Sequence, residues 1–333
     1  MIDLPPRRRP RGRYAPSPSA RLHLGNGRTA LAAWLSARAQ SGEFVLRIED
    51  LDAPRVVSWG ERAAMEDLAW LGINWDEGPD VGGPHAPYRQ SERGRYYDEA
   101  LQRLCATRRI FPCRRSRKDL RDLASAPHSS GGSPYPAHFR PRSLSAGWFT
   151  SLAASQEAAI RFAVDEAPVR FEDLVMGPSV EDVRTSIGDF VLRRRDGVYA
   201  YQLAVVVDDL AMDVTEVVRG RDLLDSTARQ IQLIEALGGP RPKYAHVPLV
   251  VNERGEKLSK RDAGLTIAAL RAEGIEARQL CGYLAHSLGL IPSPSPITAA
   301  DLIPYFRWDR MPTADWTVSD NVANEIRRIT VHG

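Results

Sequence analysis

Apolar and polar positions follow a regular order over the first hundred residues. "GRYAPSPSA" reads as a short strand stopped by Pro16 and Pro18. "LHLGNGRTALAAWLSARAQ" opens on a glycine-containing turn and continues as a helix, with Ala30, Leu31, Trp34 and Leu35 on one face. "FVLRIED" reads as a strand, and "GERAAMEDLAWLG" as a helix with Gly72 just past its end. "SERGRYYDEALQRLC" reads as a further helix with Ser91 at its N-cap. Strand and helix alternating at these spacings predict an α/β fold, a Rossmann-like doubly wound parallel sheet.

The order breaks between about residues 106 and 185, where "SAPHSSGGSPYP" is a small-residue loop and "AAIRFAV" and "VRFEDLV" read as strands. This stretch is expected to be an α+β subdomain inserted between the two halves of the sheet. Sheet grammar resumes at "DFVLRRRDGVYAYQLAVVVDDLAMDVTEVVRG", and its apolar, β-branched run "LAVVVDD" reads as a central strand buried on both faces. "LLDSTARQIQLIEALG" reads as a helix, and helical text runs on to about Leu290. The expected organisation is a flexible basic tail (1–12), a first half-sheet (13–105), the insertion (106–185), a second half-sheet (186–240) and a C-terminal helical segment (241–333). Residues 291–333 are too few for a domain of their own.

Composition changes this picture little. The 333 residues are 43% hydrophobic and 26% charged, with a formal net charge of +3, too small to demand a polyanionic partner. Three scattered cysteines imply no disulfide framework and point to a reducing cytoplasm. No apolar run is long enough to span a membrane, and the basic N-terminus lacks the apolar segment of a secretory signal. One count is informative. Only Lys118, Lys243, Lys257 and Lys260 are lysines, and two of these four fall in "KLSKR". An ammonium is a compact charge on a flexible stem, suited to following a phosphate as its charge grows, whereas an arginine fork fits such a point less well.

Three groups of residues carry candidate chemistry. His23, Gly25 and Asn26 of "HLGN" lie where a helix begins, and backbone N–H groups there attract phosphate oxygens. A strand-to-helix turn capped by a histidine explains the same text. Lys257, Ser259 and Lys260 lie on a loop between Gly255 and Gly264, which reads equally as a solvated loop. Arg13, Ser17, Glu49, Tyr201 and Arg219 fall mostly at strand ends, where open α/β sheets bind ligands. An arginine fork matches a carboxylate and a glutamate matches an ammonium, although each of these residues alone also suits an ordinary surface ion pair.

Taken together, "HLGN" and "KLSK" resemble the two signatures of class I aminoacyl-tRNA synthetases. "RYAPSPSARLHLGNGRTAL", "FVLRIEDLDAPR", "LGINWDEGP", "YAYQLAVVVDD", "VRGRDLL" and "KLSKRD" follow in an order similar to the glutamyl branch, over about residues 12–290. Full glutamyl-tRNA synthetases carry a large C-terminal anticodon-binding region, for which the text after KLSKR leaves no room. The chain therefore most resembles the truncated glutamyl-queuosine tRNA(Asp) synthetases, and Val205, where the full-length enzymes usually have Asn, agrees. The resemblance implies ATP-dependent activation of L-glutamate to glutamyl-adenylate, with Mg²⁺, and transfer to queuosine in the anticodon loop of tRNA(Asp). It implies catalysis by His23 and Lys260, and ATP held by His23, Gly25, Asn26, Lys257, Ser259 and Lys260. It places glutamate against Arg13, Tyr14, Ala15, Pro16, Ser17, Glu49, Tyr201 and Arg219. A monomer in the cytoplasm is expected.

One departure concerns zinc. The family's Cys-x-Cys and Tyr-x-x-x-Cys pattern is reduced here to Cys113 and Tyr135, with His128 and His138 nearby in sequence. Two ligands do not close a tetrahedral site. No structural zinc is expected, and packing of Phe111, Tyr135 and Phe139 is expected to hold the insertion. Two other functions fit the text: a truncated enzyme charging a tRNA 3′ end, and a catalytically idle tRNA-binding paralogue. Glutamate-dependent ATP–pyrophosphate exchange separates the last from the others. How the tRNA loop is held is not legible, since "RRSRK" and "RRR" (193–195) suit phosphates and solvent alike.

Overall fold

The computed structural model describes residues 9–115, 134–144, 147–150, 158–258 and 263–330. The chain enters through β1 (Arg11–Tyr14), which pairs in parallel with β2 (Glu43–Leu46) across the helix α1 (Leu24–Ala39). The basic tail is thus shorter than its Pro/Arg-rich text suggests, because Arg11 and Gly12 already belong to a buried strand. The helix α2 (Gly60–Trp70) ends as expected, with Gly72 at φ 79°. The helix α3 (Gly94–Ala106) starts later than its text suggests. Ser91 does not cap it. Its hydroxyl instead donates to Asp50 Oδ2 at 2.6 Å, and Arg93 occupies the N-cap.

The insertion contributes β3 (Ile110–Cys113), β4 (Ala159–Phe162), β5 (Val169–Asp173), β6 (Gly177–Glu181) and the short helix α4 (Val183–Ser186). β3 and β4 form an antiparallel sheet with β7 (Phe190–Arg193), from the text beyond the insertion. β5 and β6 instead extend the main sheet, in the order β6-β5-β9-β8, where β8 is Glu216–Gly220 and β9 is Lys243–Val247. β8 and β9 are parallel, and Thr215, just ahead of β8, donates its N–H to the Arg11 carbonyl at 2.9 Å. β1 therefore lies beside β8, with β2 on its far side, which sets the two halves of the sheet edge to edge.

"LAVVVDD" is not a strand. It lies in the helix α5 (Tyr201–Ala211), and Leu203 to Asp209 are all buried. A helix enclosed on every side loses its polar stripe, so its text matches that of a buried strand. The helix separates the two acids at its end. Asp208 accepts from Gln90 Nε2 (2.8 Å), Arg93 Nε (2.6 Å) and the Tyr97 hydroxyl (2.9 Å), while Asp209 turns to Arg13 and Arg47.

The helix α6 (Thr227–Ala236) packs on α5. Beyond it, α7 (Ile267–Ala272), α8 (Ala277–Ser287) and the helix α9 (Val322–Arg327) close one face of the core around α1. A short parallel pair, β10 (Val250–Val251) with β11 (Trp316–Thr317), joins this segment to the end of the main sheet. Arg28 of α1, fully buried, donates to the Pro248 carbonyl (2.6 Å), Ser287 Oγ (3.0 Å) and the Ser287 carbonyl (2.9 Å). Burial lowers its pKa to about 10 against the opposing pull of Asp315.

Phe111, Cys113 and Tyr135 form a separate buried cluster with Phe139 against it, and the Tyr135 ring lies 6.0 Å from Phe111 and 5.9 Å from Phe139. Cys113 Sγ and the Tyr135 hydroxyl are 3.5 Å apart. His138 packs edge-on against Phe139, and His128 lies outside the described residues. Among the described residues no three His, Cys, Asp or Glu side chains gather as a metal site.

Candidate functional site

A cleft of about 1140 Å³ opens where the two half-sheets meet. Arg13 to Ser17, His23, Gly25, Asn26, Glu49, Tyr201, Arg219 and Lys257 all line it. Ser259 and Lys260 lie outside the described residues. Both flanks of their loop are fixed at the cleft. On one side Leu258 is buried and donates its N–H to the Val250 carbonyl at 3.2 Å, and on the other Ile267 donates to the Leu22 carbonyl at 2.9 Å. Thr266 makes an antiparallel bridge to His23, so the segment that follows the second signature is tied by backbone to the first, more than two hundred residues away. Lys257 pairs with Asp222 at the rim.

His23 caps α1. Its Nδ1 accepts from the Gly25 N–H (3.1 Å) and the Asn26 N–H (3.4 Å), and Asn26 Oδ1 accepts from the His23 N–H (3.1 Å). With Nδ1 accepting, the neutral ring carries its proton on Nε2 and presents a donor there. The capping role and the ligand role are thus compatible. A Cβ on Gly25 would lie 3.0 Å from His23 Cε1 and 3.1 Å from Nδ1, so the capping ring would have to shift by a few tenths of an ångström. Gly25→Ala is expected to weaken the cap. The weakened cap, about 1 kcal/mol, is offset by a similar gain in helix propensity when Ala replaces Gly, so Tm by thermal melting should stay within about 2 °C of the parent.

At the other end of the cleft the walls are charged and buried. The Arg13 guanidinium meets Asp209 Oδ1 (3.3 Å) and the Val218 carbonyl (3.0 Å). Arg47, fully buried behind it, donates to Asp209 Oδ1 (2.7 Å) and Glu49 Oε1 (3.2 Å). Burial alone would raise the Asp209 carboxyl, but Arg13 and Arg47 outweigh it and hold the group below its usual range. For Glu49 the balance goes the other way. Burial raises it, and the pull of Arg47 and Arg13 falls short of cancelling that. The backbone fixes Glu49 too, since its N–H donates to the Pro16 carbonyl at 3.0 Å. Tyr201 opens α5, and burial raises its phenol above the usual range.

Arg219 faces the cleft, 4% exposed, and its three hydrogen bonds go to neutral acceptors: His246 Nε2 (3.0 Å), Gln230 Oε1 (2.7 Å) and Thr227 Oγ1 (2.9 Å). Among the described residues no carboxylate pairs with it. A buried cation held only by neutral groups keeps charge that an anion can match. The sequence did not point to Arg47, Asp209, His246 or Asp173. Of these, only the paired acids at the end of an apolar run gave a usable signal.

Comparison with known proteins accounts for this arrangement. Residues 10–322 match the family model of tRNA synthetases class I (E and Q), catalytic domain. A glutamyl-Q tRNA(Asp) synthetase of Symbiobacterium thermophilum is 48% identical over 303 residues, 90% of this chain and 93% of its own length. A glutamate–tRNA ligase 2 of Acidithiobacillus ferrooxidans is 43% identical over 281 residues, 83% of this chain but 57% of its own. The crystal structure of a glutamate tRNA ligase from Elizabethkingia meningosepticum, in complex with its amino acid, superposes with a TM-score of 0.83 at 30% identity, covering 96% of this chain and 68% of that one. With its sheet, its cleft and nearly its whole length accounted for, the chain belongs to the class I tRNA synthetases of the E and Q catalytic-domain family.

Proposed function

We propose that this chain activates L-glutamate with ATP and transfers it to queuosine in the anticodon loop of tRNA(Asp). The observation that carries this reading is the pairing, in one cleft, of a histidine-capped helix start with a buried acid and a buried arginine bound only to neutral groups. The 48% identity to a glutamyl-Q tRNA(Asp) synthetase over 93% of that protein's length favours queuosine over a 3′ end as acceptor.

In the first step an oxygen of the glutamate α-carboxylate attacks the α-phosphorus of Mg²⁺-bound ATP in line, and pyrophosphate leaves. The attacking carboxylate is already ionised near neutral pH, so no general base is needed, and catalysis rests on position and charge. His23 Nε2–H and the N–H groups opening α1 donate to phosphate oxygens. Lys260, with Lys257 and Ser259 on the same loop, neutralises charge that grows on the phosphates. Glu49 takes the α-ammonium, while Arg13 and Arg219 take the side-chain carboxylate within the wall formed by Tyr14 to Ser17 and Tyr201. Glutamine would leave that buried positive charge unmatched, which disfavours it. In the second step a hydroxyl of the queuosine ring attacks the acyl carbon of the adenylate. An ester forms, AMP leaves, and the hydroxyl proton passes to solvent.

We read the insertion as held by its aromatic cluster rather than by zinc. Phe111, Tyr135 and Phe139 pack on one another, and Cys113 and Tyr135 alone do not close a tetrahedral site. Purified protein is therefore expected to contain far less than one zinc per chain by elemental analysis, with Tm unchanged by EDTA. Stoichiometric zinc whose removal lowers Tm would reverse this. The three free cysteines fit a reducing cytoplasm, and among the described residues no helix is long and apolar enough to cross a membrane. The enzyme is read as a monomer.

ATP–pyrophosphate exchange with glutamate, glutamine and aspartate in parallel tests the first step, and exchange with glutamate alone is expected. Periodate tests the acceptor. After charging, oxidation should destroy the free 3′ diol, so that the deacylated tRNA(Asp) no longer accepts aspartate. Retained aspartate acceptance would mean that glutamate had been placed on the 3′ end.

A further inference from the structure

Behind Arg219 a relay of two buried side chains runs away from the cleft. An arginine N–H can only donate, so the Arg219 Nε bond at 3.0 Å requires His246 Nε2 to present its lone pair. The neutral ring then carries its proton on Nδ1, which donates to Asp173 Oδ2 at 2.5 Å. The other carboxylate oxygen, Asp173 Oδ1, accepts the backbone N–H groups of Val175 (3.0 Å), Met176 (2.9 Å) and His246 (3.2 Å). Each group in this line has one orientation that satisfies its neighbours. Burial and the Arg219 charge lower the His246 pKa against the pull of Asp173, which favours the neutral ring.

We propose that Asp173 and His246 are positioning residues that aim the Arg219 guanidinium at the carboxylate of the substrate side chain and so set selectivity for glutamate over glutamine. This deepens the reading above, since it rests on Arg219 meeting that carboxylate. The imidazole keeps Asp173 one ring away from the guanidinium. The negative charge thus steadies Arg219 without occupying its fork. Gln230 and Thr227 take one hydrogen each from the two terminal nitrogens, and each of those nitrogens has a second to give.

Asp173→Asn tests this with almost no change of shape. Three backbone N–H groups claim the Oδ1 position, so the amide nitrogen must take the Oδ2 position and donate to Nδ1. The histidine proton then moves to Nε2, where it opposes the Arg219 Nε–H, an inverted tautomer like that of the equivalent change in a serine-protease triad. The expected result in glutamate-dependent exchange is a rise in KM for glutamate of about tenfold or more, with KM for ATP within about twofold. The glutamate-to-glutamine ratio of kcat/KM should fall by about tenfold or more. Nitrogen-15 spectra of the His246 side chain should change from Nδ1–H in the parent protein to Nε2–H in the variant. His246→Gln, which keeps an acceptor near Nε2, should stay closer to the parent than His246→Leu. Parent-like KM and selectivity in Asp173→Asn would overturn the proposal. So would equal behaviour of the two His246 variants, which decides the matter if Asp173→Asn does not melt cooperatively. A parent enzyme without glutamate-dependent exchange would remove the underlying reading and this one with it. A glutamate-selective parent with equally selective variants would remove this one alone.

Discussion

Glu49→Gln should lower kcat/KM for glutamate by about a hundredfold, in line with the roughly 3 kcal/mol lost when one member of a buried, hydrogen-bonded charge pair is neutralised. The fold should survive, because Arg47 keeps Asp209 at 2.7 Å and Asp208 at 3.8 Å. KM for ATP should hardly move. The pH profile gives an independent check. Burial raises Glu49 in the free protein, and an ammonium bound beside it would pull it back down. Binding therefore expels a proton wherever the free carboxyl is protonated. Affinity for glutamate should rise with pH through the raised pKa of Glu49 and be lost as pH falls through it. This acid limb should vanish in Glu49→Gln, and a variant that kept the limb and the parental KM would show that another group holds the ammonium.

Lys260→Met should reduce kcat for exchange by roughly two to three orders of magnitude, the range found when one preorganised charge donor is removed. KM for glutamate should change little. The flanks of its loop support this expectation. Leu258 is tied to Val250 and Ile267 to Leu22, so the described residues on either side of this segment are fixed at the cleft. Lys257 should matter less, since Asp222 already neutralises it at an exposed rim. Exchange assays on Lys257→Met and Lys260→Met side by side would decide, and an unchanged kcat in Lys260→Met would leave the charge to other donors.

What could be read from the sequence was whatever a short stretch expresses by itself. His23, Gly25 and Asn26 state a helix start, and Gly72 states a helix end, through local backbone chemistry. Glu49 and Arg219 were legible because each closes a run that reads as a strand. The helix at Tyr201–Ala211 was not, because complete burial erased the periodicity that distinguishes helix from strand. Arg47 looked like any alternating strand residue, although it is fully buried and links three acids. Asp173 and His246 are 73 residues apart and meet only through the pairing of β5 with β9, a long-range event that no local pattern records. Ser91 misled because a serine ahead of a helix can satisfy a carboxylate as readily as a helix end.

Arg28 bears on how far the chain can be shortened. Its charge is solvated by the Pro248 carbonyl and by the last turn of α8, so α1 borrows part of its polar shell from the C-terminal quarter. Excising that quarter would remove two of the three acceptors of Arg28 and open the core beneath α1 to water. The tail end of the sequence is on this view a keystone, and a minimal catalytic fragment has to include it.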